Sequence, residues 1–213
     1  MSPATTWILE VRQRLETPSP CRLTAPESAP GLPGPPGPPI PDARRAAVLV
    51  PLYVESGQLW TLLTKRSESL PHHRGQVAFP GGGLETGEDF WRAALRETEE
   101  EIGLEGKRVL RLGELDEVAT PSGFRIVPCV GAIPYPFEAR PNPGEIDDVF
   151  AAPLAELANP KVTEEREVRI NGQRRTLRIY HVGRFLVWGV TARILQNLLE
   201  RVGISTQMDE VEE

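Results

Sequence analysis

Residues 81–104 read GGGLETGEDFWRAALRETEEEIGL, a glycine-rich opening followed by an apolar-periodic run dense in glutamate. At about 100° per residue, Trp91, Ala94, Leu95, Thr98 and Ile102 fall on one stripe, which predicts a helix from about Glu88 to Ile102 with that stripe toward a core. Glu97, Glu100 and Glu101 share one flank at spacings i, i+3 and i+4, while Glu99 falls on the other. Three like charges so placed repel one another. A solvated face explains such a run, and so does a hard divalent cation that takes oxygen ligands.

Working upstream, AAVLVPLYVE (46–55) and QLWTLLTKR (58–66) are β-prone runs around a turn, and they predict two paired strands. A basic, His-containing loop, KRSESLPHHRG, and then QVAFPGGG lead into the glutamate helix. Downstream, strands are expected at 108–118, 125–133, 162–170 and 174–182, with Asn171-Gly172 as a hairpin turn between the last two. Residues 185–202 read as a closing amphipathic helix. The order of elements predicts an α/β (α+β) fold, a mixed sheet sandwiched between helices in α/β/α layers.

Outside this core, residues 5–15 form a short helical pattern with Trp7, Ile8, Val11 and Leu15 on one side, expected to dock on the domain. Residues 18–41 are Pro-rich and read as an extended linker or wrapping segment. The division expected is therefore 1–42 helix and linker, 43–204 main domain, and 205–213 a disordered acidic tail.

Composition narrows the function. The chain has 213 residues, 39% of them hydrophobic and 25% charged, which suits a soluble globular domain. A net charge of -6 argues against nucleic-acid binding through the overall field, so an anionic substrate needs clustered Arg and Lys or a bridging cation. Two cysteines, Cys21 and Cys129, make neither a metal cage nor a disulfide framework, and this fits the cytoplasm. No apolar run is long enough to span a membrane, and the opening residues do not read as an export signal. Monomer and homodimer both remain open.

Counted from Gly82, the chain gives Gly, five residues, Glu88, seven residues, Arg96-Glu97, then Glu100-Glu101 and Gly103-Leu104. This resembles the signature box of Nudix hydrolases, G-x5-E-x7-R-E-U-x-E-E-x-G-U with U aliphatic. Thr98 stands at the first aliphatic position, where its methyl can pack in the stripe. The resemblance implies a Nudix fold and a hydrolase that cuts nucleoside diphosphates linked to another group, with Mg2+ or Mn2+. It also implies roles: Glu97 and Glu101 as principal metal ligands, Glu100 assisting, a main-chain carbonyl near Gly81 completing the shell, and Arg96 paired with Glu88 as a brace. Gly82 and its neighbours would let main-chain groups approach a ligand. Glu99, outside the box's constant positions, stays a surface charge.

The preceding segment, LLTKRSESLPHHRGQVAFPGG (62–82), resembles the one that accompanies the box in coenzyme A pyrophosphatases. Pro71 departs from that pattern, which has Arg there. GFRIVPCVG (123–131) and NPGEIDDVFAAPL (142–154) also resemble the subfamily, the latter as its approach to a helix. On this likeness the substrate is the small-molecule nucleotide coenzyme A, cut to 4'-phosphopantetheine and adenosine 3',5'-bisphosphate. Lys65, Arg66, His72, His73 and Arg74 are the cations available for its phosphates, although a solvated loop pairing with nearby Glu accounts for them too. For the general base, Glu145, Asp147 and Asp148 are candidates, with Glu145 preferred and Glu100 its rival within the box; a helix cap or solvated turn explains the same acids. Phe79 is read as core. Another nucleotide, such as ADP-ribose or a dinucleotide, is the alternative substrate, and a silent nucleotide-binding regulator is the alternative class.

Overall fold

The computed structural model describes residues 3–16, 44–120, 123–170 and 173–204. The Pro-rich segment 18–41, the Asn171-Gly172 turn and the acidic tail 205–213 lie outside the described residues. The elements run α1 (Pro3–Glu16), β1 (Arg44–Glu55), β2 (Gln58–Arg66), β3 (Val77–Ala78), β4 (Gly81–Gly83), α2 (Phe90–Ile102), β5 (Leu110–Glu114), β6 (Val118–Ala119), β7 (Phe124–Ala132), β8 (Ile146–Pro153), α3 (Leu154–Leu157), β9 (Thr163–Ile170), β10 (Gln173–Val182), β11 (Phe185–Trp188) and α4 (Gly189–Val202).

β1 organises the larger, mixed sheet. One of its edges pairs in parallel with β7 from Arg44 to Leu52. Its other edge is shared: β4 takes Ala46–Val48 and β2 takes Leu52–Glu55, both antiparallel. β2 divides likewise, with β8 along 60–66 on one side and β1 then β3 on the other. β1 and β2 therefore splay apart beyond their turn, and the β3–β4 segment fills the wedge. That wedge brings the glycines of β4 beneath α2.

The side-chain period of two gives β1 two apolar faces. Ala47, Leu49 and Tyr53 pack with Trp91, Ala93, Ala94 and Ile102 of α2. Val50 and Leu52 belong to the opposite layer, with Ile194, Leu195 and Leu198 of α4 and Val11 and Leu15 of α1. With both faces covered, truncating a side chain such as Leu49→Ala costs about 2–5 kcal/mol. Helices thus lie on both sides of a mixed sheet, as the element order predicts. Phe79 is buried within the α1 and α4 layer.

The segment 142–154 leads into a helix, α3, as expected, and does so through β8, whose Asp147 and Asp148 interrupt the apolar pattern of a strand. Three expectations are corrected. The helix expected over 185–202 begins only at Gly189, because Phe185–Trp188 forms β11 against β10. The strand expected over 108–118 is a 3-10 turn at Gly106–Arg108 followed by β5 and β6. Nor do the later strands join the mixed sheet: β9, β10 and β11 form a second, three-stranded antiparallel one, in which Ile170 opposes Gln173 across the two-residue connection.

Candidate active site

α2 starts where Asp89 caps it, the side chain accepting Arg92 N–H at 2.8 Å, and ends at Gly103 in the left-handed conformation (φ 73°). The cap is worth about 1 kcal/mol. Thr98 is fully buried in the apolar stripe, and its hydroxyl donates to the Ala94 carbonyl at 2.6 Å. This phase turns Glu97 and Glu101 toward β4 and leaves Glu99 and Glu100 exposed. The Glu99 side chain accepts a long contact from Gly106 N–H, 3.4 Å.

Two glycines of β4 fit against these carboxylates. Gly81 donates its N–H to Glu101 Oε2 at 3.0 Å, and a β-carbon there would stand 2.3 Å from the Ala47 carbonyl oxygen, so backbone forbids any side chain. At Gly82 a β-carbon would lie 2.5 Å from the carboxyl carbon of Glu97. Arg66 reaches Glu101 from β2, Nη1 to Oε1 3.4 Å. Arg96 forks Glu88 at 2.9 and 3.1 Å, and also donates to Glu97 (2.9 Å), Glu100 (3.3 Å) and the Gly83 carbonyl (3.1 Å).

The chain after β7 closes the other side. Arg140 and Asn142 donate their backbone N–H groups to the carbonyls of Ile102 (2.9 Å) and Glu101 (2.8 Å), satisfying the end of α2. Asn142 Nδ2 donates to Glu145 Oε1 at 3.4 Å. Burial pushes the Glu101 carboxyl up to about 7, opposed by Gly81 N–H and Arg66 and reinforced by repulsion from Glu97 and Glu145. Burial likewise raises Glu97, against the pull of Arg96, and Glu100 and Glu145 add repulsion. Hydrogen bonds from Arg96, then from Glu85 N–H, hold Glu88 down to about 2.

Other candidates lie apart from these carboxylates. Lys65 pairs with Glu68 (3.0 Å) and Asp147 (3.7 Å), and Asp148 pairs with Arg184, whereas Glu145 is among the charges that repel both Glu97 and Glu101. His72, His73 and Arg74 are exposed on the β2–β3 loop, with His73 Nδ1 3.0 Å from Gln76 Oε1. Sequence reasoning misses Asn142 as a contact of Glu145; its place three residues before an acid is the available signal.

Among the described residues, no three His, Cys, Asp or Glu side chains already converge on a metal-sized point. The donor set nevertheless suits a hard cation: Glu97 and Glu101 are desolvated, mutually repelling oxygen donors beside a backbone with no β-carbons. Desolvated acids against a glycine strand, on a mixed sheet between helices, are the arrangement that the signature-box resemblance implies for a hydrolase of pyrophosphate bonds.

Known proteins agree with that class. The NUDIX domain model matches residues 43–171. The uncharacterized Nudix hydrolase NudL of Photorhabdus laumondii is 35% identical over 162 residues, 76% of this chain and 86% of that protein. The NudL of Shigella flexneri is 36% identical over 163 residues, 76% of this chain and 84% of that one. A MutT/nudix family protein from Enterococcus faecalis shares the fold with a TM-score of 0.51 at 17% identity, over 78% of this chain and 64% of that chain. The chain belongs to the Nudix hydrolase family and acts on the pyrophosphate bond of a nucleoside diphosphate derivative. Enzymes of this family generally use divalent metal ions. No helix among the described residues is long and apolar enough to cross a membrane.

Proposed function

We propose that the substrate is coenzyme A or a derivative, cut to 4'-phosphopantetheine and adenosine 3',5'-bisphosphate. The observation that carries this reading is the path of segment 62–82, which joins the site at both ends: Arg66 at its start and Gly81 near its close both contact Glu101. A loop tied down so closely can set specificity, and its exposed His73 and Arg74 offer hydrogen-bonding groups, and Arg74 a positive charge, for a phosphate.

Glu97, Glu101 and the Gly81 carbonyl would hold Mg2+ or Mn2+, with Glu100 assisting. When bound, such an ion supplies polarisation of the bridging phosphates and acidifies an attacking water. Glu145 is the proton acceptor we favour, since its charge is felt by both Glu97 and Glu101; Glu100 is the rival. Arg96 braces the helix against the β4–α2 loop through Glu88. Gly82 leaves room for the Glu97 carboxylate.

The engagement of Lys65 with Glu68 and Asp147, together with Pro71 in place of the subfamily's Arg, favours a second reading in which no 3'-phosphate is needed, as with ADP-ribose. Product analysis by mass spectrometry after incubating coenzyme A, dephospho-coenzyme A and ADP-ribose with the protein and Mg2+ separates the two. Preferred turnover of coenzyme A supports the first; indifference to the 3'-phosphate supports the second.

A further inference from the structure

Both guanidiniums of the site sit on carboxylates, but they are held very differently. Arg96 is fixed by Glu88, Glu97, Glu100 and the Gly83 carbonyl. Arg66, among the described residues, makes its side-chain contact with Glu101 alone, at 3.4 Å. Its side chain is 29% exposed, whereas that of Glu101 is 3% exposed. It also stands where the pairing of β2 with β8 becomes irregular, between Lys65 and Arg66, at the root of the β2–β3 loop.

We propose that Arg66 is a stand-in cation, neutralising Glu101 until a divalent ion replaces it and then turning to the phosphates of the substrate. The inference rests on the reading of Glu101 as a metal ligand. A guanidinium and a divalent ion repel each other, so each weakens the other's hold on the Glu101 carboxylate. Arg96 has other anchors that keep it in place when Glu97 changes partner; Arg66 has no other among the described residues, and its partly exposed head has a path toward solvent. Released at the mouth of the site, it matches the fork of a phosphate. One side chain thereby couples ion binding to anion binding, and linkage requires the coupling to act in both directions.

The test uses two probes and no turnover: Mn2+ in the absence of substrate, and inorganic diphosphate in chelator, each titrated by calorimetry. Arg66→Met and the more polar Arg66→Gln should bind Mn2+ about 5-fold more tightly than the parent, because a competitor is gone. Glu101→Gln should bind diphosphate about 5-fold more tightly without metal, and the gain should vanish in the Arg66→Met, Glu101→Gln double variant. Unchanged or weaker Mn2+ binding in both Arg66 variants overturns the proposal, as does a diphosphate gain that survives in the double variant. If Glu101→Gln leaves Mn2+ affinity intact, the metal reading itself falls and takes the proposal with it.

Discussion

Gly82 and Glu97 occupy one another's space: a β-carbon on Gly82 would stand 2.5 Å from the Glu97 carboxyl carbon and 2.6 Å from both oxygens. The clash is with the end of a flexible side chain, so the fold can absorb it by moving the carboxylate. Gly82→Ala should therefore lower kcat about 100-fold with little change in thermal unfolding, since an ångström of displacement at a reacting centre has that order of effect. A loss of fold with retained specific activity would contradict this geometry.

The helix phase separates acids that look alike in sequence. Glu97→Gln and Glu101→Gln should each reduce turnover by roughly 1,000-fold or more, the scale of losing charge stabilisation at a reaction centre. Glu99→Gln, exposed on the opposite flank, should leave kcat within about twofold, because surface substitutions away from special features change little. Steady-state kinetics on the three purified variants decide it.

Metal-free stability should depend on pH in an unusual direction. Glu101 binds its proton more tightly in the fold, about 7 against an ordinary 4.5, so its contribution is fully present below about 4.5 and lost as pH rises through about 7. In chelator, the protein should be less stable at pH 8 than at pH 5 by about 2–3 kcal/mol from this group, and Glu101→Gln should remove that difference. Glu88, held down to about 2, acts only in a more acidic window and does not mask the effect. Denaturant unfolding at the two pH values, with and without Mn2+, measures it.

The N-terminal helix should be inseparable from the domain. Arg201 Nη2 donates to the Leu15 carbonyl at 2.6 Å and to that of Arg14 at 3.4 Å, and its Nη1 pairs with Asp116 at 3.6 Å, with the two side chains 8% and 15% exposed. Arg201→Met leaves the end of α1 and Asp116 without this donor and should cost about 3 kcal/mol. Chemical denaturation reads the loss, and increased proteolysis within α1 would accompany it.

What the sequence disclosed was local and periodic. The α2 stripe, the doubly apolar β1 and the spacing of Glu88, Arg96, Glu97 and Glu101 are all readable because each repeats with the geometry of its own element. β8 hid because its paired aspartates break alternation, and they do so where they meet Lys65 and Arg184 from other parts of the chain. β11 hid because its apolar residues run without a gap into α4, and Gly189, with φ 67°, is a small mark of the change. The contact of Arg66 with Glu101 joins two segments distant in sequence, and residue types alone carry no trace of it.

The last carbonyls of α2 are closed by Arg140 and Asn142 rather than by solvent. Glu101 therefore cannot be reached by fraying of its own helix; the turn opens only if the strand-to-strand connection that bears Glu145 lifts away with it. Glu101 and Glu145 should then open together, and amide exchange at Arg140 and Asn142 should be as slow as within the helix. Partial opening of the protein would then leave no species with half an active site.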